Sequence, residues 1–263
     1  MKLLINLVLL LLITQKINSQ TLIAQAKPMG GKLWGYIDIT GNLVIPAKYA
    51  TCYEFTEDGF AAIYEAKQYH FINKKGEKII TELSGFKLID GFGINLKGYN
   101  NGLAPVKIGT SWGYMDVQGK ESIKPSYDKV SEFNGGYAVA SRGEKKFVLD
   151  LKGNEIPVTD TKVFALKHFS EGLAPFDGQD KKNGFIDISG KVVIEPDFMS
   201  VGYFVNDLAW AKTTELTVGY INKKGEWVIK PQFTAAKDFD AQSGMARVKI
   251  AETWAYIDKT ERF

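Results

Sequence analysis

The chain has 263 residues, of which 45% are hydrophobic and 24% charged, a composition typical of a folded protein rather than a disordered one. Its formal net charge is +3 with both signs interspersed, which gives no electrostatic reason to expect nucleic acid or an anionic membrane as partner. Cys52 is the single cysteine, so an intramolecular disulfide is excluded and the core must hold by burial alone.

Residues 1–19 have the layout of a secretory signal peptide. Met1 and Lys2 form a short positive region, Leu3 to Ile13 is an almost unbroken apolar run, and polar residues follow. Eleven apolar residues are too few to span a bilayer core, which disfavours the alternative of a retained membrane anchor. We expect cleavage after Ser19, or else within Ala24–Ala26. The mature chain would then be exported to the periplasm or cell surface, without a transmembrane span and with a formal charge of +1.

Residues 20–31 are predicted to form a linker, and residues 32–263 contain one short phrase that returns seven times. Its third residue, usually aromatic, recurs at steps of 35, 43, 34, 37, 35 and 36 residues. A fixed period in this range indicates an array of one supersecondary unit. The phrases begin at Trp34, Tyr69, Trp112, Lys146, Asn183, Val218 and Trp254.

Each phrase is predicted to be a strand that ends in a tight turn. In the first unit the phrase ends at Asp38 and Gly41 follows three residues later, and the other complete units keep Asp or Asn and Gly at the same spacing. A short polar side chain that accepts backbone N–H bonds, followed by a glycine, is typical of turns. In the segment after the turn, apolar residues at Ile45 and its equivalents alternate with positions that accept charge. We therefore expect this segment to be a strand that pairs antiparallel with the phrase.

The second half of each unit contains further short strands and no helical periodicity. It keeps an aromatic column at Phe55 and its equivalents, and then a segment that begins Gly59-Phe-Ala in the first unit. The third and fourth residues of the phrase are both apolar in every unit. Because neighbouring residues of a strand point to opposite faces, each phrase is predicted to be a strand covered on both sides. One such unit buries too little surface to be stable alone, so neighbouring units must stack.

These anchors together resemble the bacterial WG-repeat family. The first unit reads Trp34-Gly-Tyr-Ile-Asp, then Gly41, Val44-Ile-Pro, Tyr49, Phe55 and Gly59-Phe-Ala, and the resemblance extends over residues 32–263. The first, third, fifth and sixth units match best. Units two and four depart, since His70 and Phe147 replace the glycine, and the seventh unit contains only its first strand. The resemblance implies an exported or surface-associated β-repeat protein used for interaction, and it carries no general catalytic site.

Two all-β architectures fit the repeat. Six units of about four strands and a seventh strand would suit a β-propeller-like ring of six or seven blades. Unit lengths vary, however, and a stack that grows in one direction tolerates such variation better than a closed ring. We therefore predict an open, curved stack of β-hairpins, with the ring as the alternative.

The patterns that would indicate catalysis or a metal are weak. Gly109-Thr-Ser111-Trp-Gly113 matches the pattern around a hydrolase serine, with Asp116 and His168 downstream, but that mechanism needs the serine on a turn between a strand and a helix. His70 and His168 are the only histidines and do not form a clustered ligand set with the lone cysteine. We predict no catalytic residue, no metal and no cofactor.

Four aromatic residues are the candidate binding residues. Trp227 occupies a column held by Lys78 and Glu121 in other units, and Trp210 occupies a column that also tolerates Arg247. Exposed tryptophan is enriched at binding sites, although both side chains could instead pack sideways on neighbouring units. The other two, Phe86 and Phe92, lie in the insertion of unit two.

These observations predict a non-enzymatic binding or scaffold protein of the cell envelope that presents its repeats to a protein or a glycan. Two alternatives remain open from the sequence. One is a hydrolase that uses Ser111 or clustered carboxylates, and the other is a structural spacer without a specific ligand.

Overall fold

The computed structural model describes residues 23–83, 85–88 and 98–261. Over these residues the chain forms 24 strands in seven antiparallel sheets and no helix, so none that could cross a membrane is found in the described part. The predicted signal peptide and Phe92 lie outside the described residues. The all-β tandem-repeat prediction is confirmed.

The strands follow one another along the chain, and each sheet contains strands that are consecutive in sequence. Sheets 1, 2 and 3 have three strands each: β1 (Ile23–Ala26), β2 (Trp34–Asp38), β3 (Leu43–Tyr49); β4 (Thr51–Cys52), β5 (Phe60–Glu65), β6 (Gln68–Asn73); β7 (Leu103–Ile108), β8 (Ser111–Asp116), β9 (Glu121–Tyr127). Sheets 4 and 5 have four strands each: β10 (Lys129–Val130), β11 (Tyr137–Arg142), β12 (Lys145–Asp150), β13 (Glu155–Val158); β14 (Ala165–Leu166), β15 (Leu173–Asp177), β16 (Asn183–Asp187), β17 (Val192–Phe198). Sheet 6 has four strands and sheet 7 has three: β18 (Ser200–Val201), β19 (Ala209–Lys212), β20 (Val218–Ile221), β21 (Trp227–Phe233); β22 (Ala235–Ala236), β23 (Ala246–Ile250), β24 (Thr253–Ile257).

The sheets do not coincide with the sequence units. In sheet 3, for example, β7 comes from the end of the second unit and pairs with β8, which is the phrase of the third unit. The same offset appears in the first sheet, where β1 pairs with the first phrase although it lies in the stretch 20–31 predicted as linker. Strand β1 keeps the alanine of the Gly-x-Ala signature, at Ala24, but has Leu22 where most of its equivalents have glycine, so the full signature is absent. Each unit is therefore hydrogen-bonded into two sheets.

The predicted turn after each phrase is confirmed. Oδ1 of Asp116 accepts the backbone N–H groups of Gln118 and Lys120, both at 2.9 Å, and Gly119 adopts φ 80°. The same pair of bonds recurs, so these polar side chains serve as turn caps. The equivalent acceptors are Asp38, Asn73, Asp150, Asp187 and Asn222.

The second residue of the phrase is glycine because the partner strand bulges over it. Between the pairs Trp112↔Tyr127 and Tyr114↔Ile123, strand β9 contains two more residues than β8. A Cβ on Gly113 would lie 2.6 Å from the Pro125 nitrogen and closer still to the Ile123 carbonyl oxygen. Only a residue without a side chain fits under such a bulge. The same register shift occurs in the first, fifth and sixth units.

The core lies between consecutive sheets. Six clusters of buried residues occupy the six interfaces from sheet 1 to sheet 7. In the interface after sheet 3 the Tyr114 ring packs 4.8 Å from Phe133, and its hydroxyl donates to the Ser131 carbonyl at 2.8 Å. No cluster of the described residues joins sheet 7 back to sheet 1. The described sheets therefore form an open array, as predicted.

Candidate interaction surface

Trp210 is half-buried rather than exposed. It lies in β19, directly across from Tyr220, and packs against the core between sheets 6 and 7. Pro105, Pro175 and Arg247 occupy the equivalent positions, and from the sequence they predict a column that tolerates exposure. The side chain instead packs sideways on the neighbouring sheet, which was the other interpretation of the sequence.

The indole of Trp210 is held by Asp238, which follows β22. The indole N–H donates to the Asp238 carboxylate, and the backbone N–H of Tyr203 donates to Oδ1 of the same group at 3.0 Å. Burial raises the pKa of the Asp238 carboxyl above its usual value, although these two bonds act in the opposite direction. Gly202 makes room for the pair, because a Cβ there would overlap both Oδ1 and Nε1.

A stacked ring pair adjoins this carboxylate. The His168 imidazole lies 3.9 Å from the Tyr203 ring with an interplanar angle of 17°, and burial raises the pKa of the Tyr203 hydroxyl. His168, Tyr203, Trp210 and Asp238, here called the Trp210 cluster, come from three consecutive units. They bring ring faces and one desolvated hydrogen-bond acceptor together, a combination suited to a ligand that carries hydroxyl groups.

Trp227 is exposed and contacts the preceding sheet. It retains 36% of its accessible surface, and its ring meets Phe198 of sheet 5 edge to face at 5.6 Å. Val228, the next residue, is also exposed, and β21 is an edge strand of sheet 6 among the described residues. Phe198, Trp227 and Val228 are here called the Trp227 edge. An apolar group on an edge strand is the kind of surface to which another chain can dock.

The insertion of unit two contributes to the core. Phe86 is half-buried and packs against the cluster between sheets 2 and 3, whereas Phe92 lies outside the described residues. The structure does not bring Phe86 next to Trp210 or Trp227 in any described cluster. Its binding role stays a prediction.

The residues tested from the sequence for chemistry are dispersed. Ser111 is the first residue of β8, paired with Ile108, and His168 is engaged with Tyr203. Burial raises the pKa of the Cys52 thiol, which keeps it protonated and a poor nucleophile. Within the described ranges no three His, Cys, Asp or Glu side chains come together as a possible metal site.

The sequence did not indicate a further exposed aromatic face, on sheet 7. The third residue of the phrase, which is aromatic except for Val148 in sheet 4, is buried in sheets 1 to 6, but Tyr256 is 59% exposed and Trp254 is exposed as well. The Arg247 guanidinium lies 5.0 Å from the Trp254 ring centroid. In the first, third, fifth and sixth units the ring is covered by a phenylalanine 19 residues later, as Tyr220 is by Phe239. Among the described residues Tyr256 has no such cover, and this break in the pattern was the available signal.

Solved structures share this fold at low sequence identity. The computationally designed Ika8 protein is 14% identical, with a TM-score of 0.56 over 90% of this chain and 81% of that one. Hsv2p of Kluyveromyces lactis is 10% identical, with a TM-score of 0.51 over 86% and 90% of the two chains. A eukaryotic initiation factor is 12% identical, with a TM-score of 0.53 over 90% and 72%. At these identities the similarity shows the fold alone.

A search of curated proteins finds no match. The family model described as WG containing repeat, however, matches residues 34–69, 112–145, 184–215 and 219–254. These segments correspond to the first, third, fifth and sixth units and together make up more than half of the sequence. The chain belongs to the WG containing repeat family.

Proposed function

We propose that this protein is an exported, non-enzymatic scaffold of the cell envelope that binds a protein or a surface glycan through its repeats. The signal-peptide pattern of residues 1–19 supports export, and the repeat fold and family are consistent with a protein-binding scaffold. No residue is assigned a catalytic role, since Ser111 begins a strand and the buried thiol of Cys52 is protonated. No cofactor is proposed.

The observation that carries this proposal is the Trp227 edge. The same column holds Leu43, Lys78, Glu121, Glu155 and Val192 in the other units, so the fold itself does not require tryptophan there. An exposed indole held edge to face against a neighbouring ring provides a rigid apolar anchor, and it loses little conformational entropy when a partner covers it.

The scaffold is suited to this role because bonds between units fix the spacing of its sheets. The Gly136 N–H donates to Oδ1 of Asn101 at 3.0 Å, and the Asn206 N–H donates to Glu171 at 2.6 Å. These bonds connect equivalent turns 35 residues apart. A partner that contacts several units therefore meets a preformed surface, which lowers the entropy cost of binding.

A comparison of Trp227→Ala with Leu43→Ala tests the proposal. Both residues are exposed at equivalent positions of their units. A loss of binding that is specific to the Trp227 edge should therefore appear in Trp227→Ala and not in Leu43→Ala. We expect the purified protein to capture one partner from envelope extracts, and Trp227→Ala to weaken that capture at least tenfold, as for an anchor worth more than about 1.4 kcal/mol. Leu43→Ala should retain it.

The other outcomes separate the alternatives. If both variants capture the same partner equally, the Trp227 edge is not the binding surface. Capture of glycan that depends on Tyr203 or Trp210 would move the site to the Trp210 cluster. Failure of the unmodified protein to capture any protein or glycan would favour the structural spacer, and hydrolytic activity abolished by Ser111→Ala would overturn the non-enzymatic proposal.

A further inference from the structure

Each interface between consecutive sheets is built from two different faces. The earlier sheet contributes the aromatic third residue of its phrase, such as Tyr36 in sheet 1. The following sheet contributes two residues of the strand before its phrase and the fourth residue of the phrase, such as Ala61, Ile63 and Ile72 in sheet 2. We call these the exit face and the entry face. The same division holds between sheets 6 and 7, where Tyr220 meets the entry face of sheet 7.

The entry faces of sheets 2 to 7 are all buried. Each consists of two alternate residues of the strand before the phrase and one residue of the phrase itself, and all of them retain at most 4% of their accessible surface. They are Ala61, Ile63, Ile72; Ala104, Val106, Met115; Ala138, Ala140, Leu149; Ala174, Phe176, Ile186; Ala209, Ala211, Ile221; and Ala246, Val248, Ile257.

Sheet 1 has an entry face of the same composition that no described residue buries. The strand register places Ala24 opposite Ile37 and Ala26 opposite Gly35, which reproduces the arrangement of the buried triplets. Ala24 is exposed, and Ala26 and Ile37 are only half-buried. Ile39, in the turn that follows β2, is 81% exposed, so the described residues leave this end of the array apolar and uncovered.

Sheet 7 has the complementary uncovered exit face. Tyr256 and Trp254 alternate along β24 and project to one side, together with Arg247 across the ladder. Strand β24 is also an edge strand in the described residues, whereas most other phrase strands are paired on both sides. Within the described residues, an uncovered ring pair beside an unpaired strand edge has the properties of a docking surface.

We propose that a second copy of this chain seats its sheet 1 entry face on the sheet 7 exit face, so that the protein associates head to tail. The two uncovered faces repeat the chemistry of the six internal interfaces, and one chain carries one of each. Such a contact is heterologous and therefore continues from copy to copy until a ring closes or a filament forms. The proposal goes beyond the proposed function, because it does not depend on the Trp227 edge.

The test is sedimentation velocity of the purified protein over a wide concentration range. Unmodified protein is expected to show species larger than the monomer that increase with concentration. Tyr256→Asp blocks the exit face, Ala24→Arg blocks the entry face, and each is expected to sediment as a monomer. Leu216→Asp adds the same charge at a residue that is 57% exposed in a turn away from both faces, and should associate like the unmodified protein.

A mixture of the two blocked variants gives the decisive result. Each has one intact face of the opposite kind, so an equimolar mixture should form a dimer and nothing larger. If Tyr256→Asp alone prevents association while Ala24→Arg associates normally, the contact joins two exit faces and the head-to-tail proposal is wrong. Unmodified protein that remains monomeric at every concentration would also overturn it.

Loss of folding is a separate explanation for loss of association, and it can be detected. Both substituted positions are exposed, so thermal unfolding of the variants should match that of the unmodified protein. Trp254→Glu provides a second block of the exit face. If it folds normally and still associates while Tyr256→Asp does not, the assigned face is wrong.

Discussion

Units 3 and 4 are neighbours of nearly equal length, yet their hairpins are closed in different ways. In unit 3 the ladder between β8 and β9 skips two residues of β9, which bulge over Gly113. In unit 4 the ladder between β12 and β13 is regular, with Phe147 opposite Pro157 and Val148 opposite Ile156. The glycine of the phrase therefore accompanies the bulge. Where the bulge is absent, a large side chain occupies the same position.

Unit 4 uses that side chain to fill the interface with sheet 3. Phe147 is buried, and its ring lies 6.5 Å from that of Tyr127. Arg142 lies 5.4 Å from the Phe147 ring centroid and forms an ion pair with Glu155 at 2.6 Å. The pKa of the Glu155 carboxyl is lowered chiefly by this bond. A ring and a cation thus occupy the space that the bulge occupies elsewhere.

The largest expected effect is that of removing the ring from unit 4. Phe147→Ala should lower the free energy of unfolding by about 3–5 kcal/mol, because it leaves a cavity in a core that the bulge does not fill. Urea denaturation measures the change. Phe164→Ala is the matched control, since Phe164 is largely exposed and its loss should cost about 0.5 kcal/mol or less. A cost below about 1 kcal/mol for Phe147→Ala would contradict the filling role.

A smaller loss is expected when a methyl group is added beneath the bulge of unit 3. Gly113→Ala should lower the free energy of unfolding by about 3 kcal/mol, because the atoms that the new Cβ meets belong to the backbone and cannot rotate away. Gly102→Ala is the control: nothing lies within 4 Å of a Cβ there, and only its φ of 79° opposes alanine, at a cost of about 1 kcal/mol. Equal losses in the two variants would show that the bulge shifts to accommodate the methyl group, because Gly113 has no positive φ that would oppose alanine.

The smallest effect concerns the turn caps and appears only in acid. The pKa of Asp150 is lowered chiefly by the Asn154 side-chain bond, so its ionised form adds stability that is present above the unfolded-state pKa of about 4 and is lost as the pH falls through the folded pKa. In Asp150→Asn the amide oxygen should still accept the two backbone N–H groups, as Asn222 does in unit 6. The free energy of unfolding of this variant should therefore fall less steeply below about pH 4 than that of the unmodified protein.

A second turn cap repeats this test in the first unit. The pKa of Asp38 is lowered chiefly by the Thr40 side-chain bond, so Asp38→Asn should likewise reduce the loss of stability in acid. An unchanged loss of stability in acid in both variants would show that the turn carboxylates do not contribute to acid unfolding.

Most of the repeat could be predicted from sequence because its anchors report local geometry. The Asp-to-Gly spacing specifies the turn after each phrase, and the alternation at Ile45 specifies the face of its mate. The bulge was not predicted, because it is marked only by two residues on different strands, such as Gly113 on β8 and Pro125 on β9. Strand β1 was missed for a related reason, because only its pairing with β2 distinguishes it from a linker.

The candidate surfaces were predicted less well because exposure depends on contacts between units. Column comparison placed both Trp210 and Trp227 at the surface, but it could not show that Trp210 would reach Asp238 of the following unit. It also could not show that Tyr256 is uncovered, since the same residue type is buried at 36, 114 and 220. Whether a side chain is a core residue or an accessible one is decided here by the neighbouring sheet rather than by the residue itself.

The offset between sequence units and sheets has a consequence for how such proteins can change. A crossover between the coding segments of any two phrases would add or remove about 35 residues, and each hybrid sheet would still receive strands from two adjacent units. Because stability in such arrays is a sum over units and their nearest-neighbour interfaces, a gain or loss of one unit alters only one such step. Gene rearrangement could therefore adjust the length of the array without the evolution of a new core.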